Sequence, residues 1–65
     1  METMETYVCL LIDNDRRIVS VEAFTAPDDI AARDMAATVK AASPSACVFE
    51  LWRKGKKIAT AGAFK

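Results

Sequence analysis

Apolar residues run unbroken from Tyr7 to Ile12 and then stop at Asp13-Asn14-Asp15-Arg16-Arg17. A short apolar run bounded by turn residues predicts a buried strand. Asp and Asn favour the turn because their side chains bond nearby backbone and tolerate left-handed angles. Ile18–Phe24 is rich in β-branched residues and predicts a second strand, hairpinned to the first. Thr25 then opens a predicted helix that runs to about Ala42. Thr25-Ala26-Pro27-Asp28 fits a capping box with Asp in place of Glu, and Pro27 falls in the first turn. Asp28 and Asp29 suit the positive end of the helix dipole and Lys40 the negative end. Asp29 and Arg33 are spaced as an i,i+4 pair. Ser43-Pro44-Ser45 ends the helix. Ala46–Arg53 is the third predicted strand, and Lys54-Gly55-Lys56 is its turn, with Gly55 supplying the positive φ. Ile58–Phe64 is the fourth, weakened by its alanines and Gly62.

These elements predict an α+β fold: a single four-stranded, mainly antiparallel sheet with one helix packed on one face (ββαββ). Residues 7–65 form one domain, and residues 1–6 are expected to be a frayed N-terminus, with Met4 as an alternative start. A right-handed crossover through the helix makes the second and third strands parallel. The order 2-1-3-4 satisfies this with antiparallel neighbours and puts Cys9 and Cys47 on adjacent strands.

Side chains alternate along a strand, and here both sets are apolar. Tyr7, Cys9 and Leu11 point one way; Val8, Leu10 and Ile12 point the other. Val19 and Val21 share a side with Ala23, and Val48, Glu50 and Trp52 lie opposite Cys47, Phe49 and Leu51. Ile58, Thr60, Gly62 and Phe64 lie opposite the alanines of the fourth strand. One helix covers one face, so the other should be polar, and it is not. The helix carries one stripe, Ala31, Ala32, Met35, Val39 and Ala42, that suits packing on the sheet, and a narrower one, Ile30, Ala37 and Ala41. An uncovered apolar sheet face has the character of an interface. The candidate interface is therefore Val8, Leu10, Ile12, Val19, Val21, Val48 and Trp52, and a homodimer is the expected assembly.

Size points the same way. Sixty-five residues make one domain with a small core, and such domains commonly need disulfides, a metal or oligomerisation. The chain has no His and only two Cys, neither in a metal-type spacing, so no zinc site and no cofactor are expected. Cys9 and Cys47 sit in apolar runs and read as small buried hydrophobes. With nine acidic and nine basic residues there is no global pull toward nucleic acid or a membrane surface. The polar start carries no secretory signal and no apolar run reaches a membrane span, so a cytoplasmic protein is expected.

Candidate chemistry is sparse. Asp13-Asn14-Asp15 resembles the start of a calcium loop but lacks its later Gly and Glu. Glu22 and Glu50 could do acid–base work only if brought together beside a pocket. No Ser–His or Cys–His arrangement exists, and Gly55 and Gly62 make no phosphate loop. No enzymatic activity is expected. Arg53, Lys54, Lys56 and Lys57 form a basic tip beside Trp52, with Arg16 and Arg17 in the other hairpin, a pattern that can bind phosphates and stack a base. The competing reading is a set of lysines that guard a sheet edge. The first reading is thus a self-associating or partner-binding module; the alternative is a nucleic-acid or phosphate-binding module using the basic tips.

The order Tyr7…Leu11-Ile12-Asp13-x-Asp15-x-Arg17-Ile18, then Pro27-Asp28-Asp29 with an Ala-rich helix, then Phe49-Glu50-Leu51-Trp52-x-x-Gly55-x-x-Ile58, resembles a group of small uncharacterised alphaproteobacterial proteins. Their pattern reads LDxDGRI…DD…A…EVWxGxRxV. The resemblance covers nearly everything after Thr6 and implies a small ββαββ protein, without implying an activity. The chain departs from it twice: Arg16 stands where the turn Gly is expected, and one extra residue separates Trp52 from Gly55. Both departures predict altered hairpin turns.

Overall fold

Asp13 closes the first apolar run by bonding to its own turn. Its carboxylate accepts from the amides of Asp15 and Arg17, both at 2.9 Å, and its carbonyl accepts from the Arg16 amide at 3.0 Å. The reversal forces Arg16 to φ +64°, the left-handed region that costs a side-chain-bearing residue about 1–2 kcal/mol. The missing turn glycine noted above is therefore a real backbone cost.

The computed structural model describes residues 3–65. The chain runs β1 (Glu5–Asp13), β2 (Ile18–Ala26), α1 (Asp29–Ala41), β3 (Ala46–Arg53) and β4 (Lys56–Gly62). The four strands form one sheet in the order β2-β1-β3-β4, every neighbouring pair antiparallel. The α+β fold and the strand order are those the sequence predicts, and the helix lies across one face.

Several boundaries differ from the sequence reading, including the end of β4, which comes at Gly62 and not at Phe64. Glu5 and Thr6, expected in a frayed end, begin β1 opposite Ala26 and Thr25; the same expectation for Met1 and Glu2 lies outside the described residues. Thr25 does not cap the helix. Pro27 holds the residue before it extended, so β2 continues to Ala26, and the cap passes to Asp28, whose carboxylate accepts from the Ala31 amide at 2.8 Å. Pro27 therefore precedes the helix instead of sitting in its first turn. In the second hairpin, Lys54 and Gly55 both have positive φ, +52° and +76°. This is the type I′ pattern that joins two strands through two residues, so β4 starts at Lys56, directly opposite Arg53. It ends at Gly62, whose φ of +102° and close approach to the Cys47 carbonyl leave no room for a Cβ. Gly62 is a requirement of the sheet edge, not a weak strand residue.

The core lies between α1 and the face of Tyr7, Cys9, Leu11, Phe49 and Leu51, with Ala26, Ala32 and Ala36 completing it. The helix packs chiefly over β3. Its buried stripe is centred on Ala32 and Ala36, and Met35, expected to face the sheet, is 39% exposed. Small side chains let the helix backbone approach the sheet closely, and a Met at the centre of that contact would hold it off.

Candidate functional site

The strand register decides what the uncovered face presents. Val8 stands between Ala23 and Trp52, Leu10 between Val21 and Glu50, and Ile12 between Ile18 and Val48. These residues alternate with the core set, so they share the face opposite α1. The faces read from the sequence hold for β1 and β3, but an extra residue at Val19 turns Ile18 to the open face, away from Ser20, and an extra residue at Ile58 packs that side chain against the core, away from Thr60. Val21 is 59% exposed and Ile18 58% exposed, far above what an ordinary sheet core allows. Val19 falls at the irregularity where the β1–β2 register shifts.

Two details alter the predicted patch. Val48 is nearly buried, at 7%, and offers little surface. At that end of the sheet the C-terminal segment folds back on the first hairpin: the Arg16 guanidinium lies 4.4 Å from the centroid of the Phe64 ring, and the Lys65 amide donates to Asn14 Oδ1 at 2.6 Å. At the other end the face stays open as a groove of about 710 Å³. Val8, Leu10 and Trp52 form its floor, and Met4, Glu5 and Lys54 its rim.

On this face the charge of Glu50 is paired, and at the strand end Glu5, on the side of Tyr7 by alternation, meets the turn. Glu50 accepts from Trp52 Nε1 at 3.2 Å and lies 3.8 Å from Lys57 Nζ. Glu5 lies 3.9 Å from Lys54 Nζ. The indole N–H is thereby tied to a residue two positions away on the same strand.

A second polar cluster sits at the start of α1. The Tyr7 hydroxyl donates to Asp29 Oδ1 at 2.8 Å, and Arg53 Nη1 donates to the same oxygen at 2.8 Å. Burial pushes the Tyr7 phenol up, and its bond to the Asp29 carboxylate adds to the shift. The Tyr7 hydroxyl and the Asp29 charge together raise Arg53 further. Asp29 is therefore turned to the sheet, and among the described residues it makes no ion pair with Arg33. Sequence reading missed this cluster because its members are separated by 22 and 24 positions, and only the packing of α1 on the paired strands β1 and β3 brings them together.

The basic tip does not act as a unit. Arg53 is held by Asp29, Lys54 by Glu5 and Lys57 by Glu50; only Lys56 has no carboxylate partner among the described residues. Glu22 pairs with Cys9 on the helix-side face, and Glu50 pairs with Leu10 on the open face, so the sheet separates the two carboxylates. Cys9 and Cys47 are on adjacent strands, as expected, but both are free thiols. Burial raises the Cys9 thiol, and the Glu22 charge raises it further, which keeps it in the unreactive form. Among the described residues no helix is long and apolar enough to cross a membrane, and no group of His, Cys, Asp and Glu is arranged to hold a metal ion. Comparison with protein-family models, with curated proteins and with solved structures found no match.

Proposed function

We propose that this chain is a non-enzymatic, self-associating or partner-binding module whose working surface is the open face of the sheet. The carrying observation is the apolar band of Val8, Leu10, Val21 and Trp52 across β2, β1 and β3, opposite the face that α1 covers. Four strands about 4.8 Å apart and about seven residues long give a footprint on the order of 400 Å² per copy. That is below the roughly 800 Å² per partner of a standard stable interface, so the homodimer of this proposal dissociates on dilution. The paired charges Glu50–Lys57 keep the face neutral. A neutral face does not repel a copy of itself, and it gives a polyanion nothing to neutralise. The two free thiols suit a reducing compartment, and a cytoplasmic location belongs to the same proposal.

The test is molar mass in solution, by size-exclusion chromatography with light scattering across a dilution series. The expected mass at high concentration is about twice the 7.1 kDa chain, and Leu10→Lys should shift the midpoint of dissociation to at least tenfold higher concentration. A dimer that Leu10→Lys leaves untouched would remove the open face as the surface that associates.

A further inference from the structure

The two edges of the sheet are built differently. β4 begins with Lys56 and Lys57, carries an extra residue at Ile58 and ends on the constrained Gly62. Charge, irregularity and shortness are the usual guards against strand addition. β2 has none of these over Ser20–Ala26. It is nine residues long and contains no Lys, Arg or Pro, and its one irregularity is confined to the start, at Val19. The helix packs chiefly against β3 and less against β2, and among the described residues no strand pairs with the outer edge of β2.

We infer that the outer edge of β2 pairs antiparallel with the β2 edge of a second copy, with Val21 on the two-fold axis. Charge selects this occupant and this direction. Arg17 immediately precedes β2 and Asp28 follows it after Pro27, whereas Arg16 lies on Phe64 and Asp29 is taken up by Arg53 and Tyr7. Antiparallel pairing sets the basic end of each strand beside the acidic end of the other, twice over; parallel pairing would set like against like. Within the strand the one charged side chain is Glu22. An axis at Glu22 would place the two carboxylates opposite each other, which is destabilising. An axis at Val21 places Glu22 opposite Ser20 of the second copy, a hydroxyl already oriented toward a carboxylate, since Ser20 Oγ lies 3.4 Å from Glu22 Oε1 in its own chain. The extra residue at Val19 interrupts the one-to-one register, and Arg17 lies beyond the strand, at the end where the second copy's Thr25 and Asp28 fall. The pair joins both open faces into one continuous apolar platform of twice the width. The edge is a separate surface from the open face, and its pairing stands whether or not that face is covered.

The test is disulfide trapping in a Cys9→Ala, Cys47→Ser background, which removes the thiol that faces position 22 within the same chain. Ser20→Cys and Glu22→Cys chains are oxidised with diamide, separately and as an equimolar mixture. Opposed residues meet the Cα separation that a disulfide needs, and residues two positions out of register do not. The mixture should form a cross-linked dimer at least tenfold faster than either variant alone. Both positions lie on the helix side of the sheet, so a dimer packed only through its open faces does not cross-link them. No cross-linking in the mixture, or equal cross-linking in the separate variants, overturns the inference even if the mass measurement shows a dimer. The unsubstituted protein supplies a second readout that needs no substitution. Amide hydrogen exchange should slow at alternate residues of Ser20–Ala26 as concentration rises and stay constant along β4; slowing that spares β2 overturns the inference equally.

Discussion

The guanidinium of Arg16 lies 4.4 Å from the ring centroid of Phe64, so the most strained residue of the first hairpin is also the one that holds the C-terminal segment. Two effects of similar size meet at Arg16. Its left-handed backbone costs about 1–2 kcal/mol, and an exposed cation–π contact returns about 0.5–1 kcal/mol. Arg16→Gly should therefore change the stability of the full chain by less than about 1 kcal/mol. In a Phe64→Ala background the same substitution should stabilise more strongly, because no contact is lost. Urea denaturation of the four chains of the double-mutant cycle reads the difference, and a coupling of zero would show that the contact contributes nothing.

Gly62 gives the opposite sign. Its positive φ and the approach of the Cys47 carbonyl mean that Gly62→Ala adds both backbone strain and a collision with main chain. The expected loss is about 2 kcal/mol or more. Gly55 has positive φ with open space around it, so Gly55→Ala should cost less. Denaturation midpoints that place the two in the reverse order would contradict the packing described for the β3–β4 edge.

Tyr7 is the single tyrosine, and its ionisation can be followed directly by absorbance near 295 nm. Burial first, and the Asp29 bond second, raise its pKa in the folded chain. The unfolded chain then loses this proton at lower pH than the folded one. The stabilisation is fully present below about pH 10, the ordinary phenol value, and is lost as pH rises through the folded value. The folded protein should titrate above the denatured one, and Tyr7→Phe should flatten the fall in stability on the alkaline side. Coincident titration curves would refute the desolvated environment.

Cys9 is fully buried and its thiol is raised, whereas Cys47 is only half-buried. One thiol should react with a disulfide reagent at neutral pH at a rate set by local exposure, and the other only at the rate of opening of the sheet. Adding denaturant should bring the two rates together. Two fast thiols in the native protein would mean that the β1–β3 pairing opens readily.

The sequence carried the local half of this architecture. β1 is legible as an apolar run stopped by turn residues, β2 as a β-branched stretch, and the predicted bounds of β3 are those observed, whereas β4, poor in strand residues, is displaced by two residues at each end. The two faces were legible because alternation along Tyr7–Ile12 and Val48–Trp52 survives folding unchanged. Errors arose where a neighbour distant in sequence decides the outcome. Thr25 looked like a cap until pairing with Thr6 drew it into the sheet. Met35 looked like a core residue until the close approach of Ala32 and Ala36 left it at the margin. The partners of Asp29 are invisible in the sequence because its i,i+4 neighbour competes on paper with Arg53, and only the packing of α1 against β3 shows which one is in reach. The open groove was half legible: its floor follows from alternation, but its rim of Glu5 and Lys54 depends on the type I′ turn and on β1 starting earlier than its apolar run.

The order β2-β1-β3-β4 makes the molecule two hairpins joined along their inner strands, with the helical segment as the tether. Each hairpin closes over a short stretch of chain and can form quickly on its own. The union of β1 with β3 must instead close the loop that contains the whole helix, and the entropy of that closure falls on this one step. Substitutions at Leu11, Phe49 and Leu51 should therefore slow folding, while those in the outer strands mainly speed unfolding.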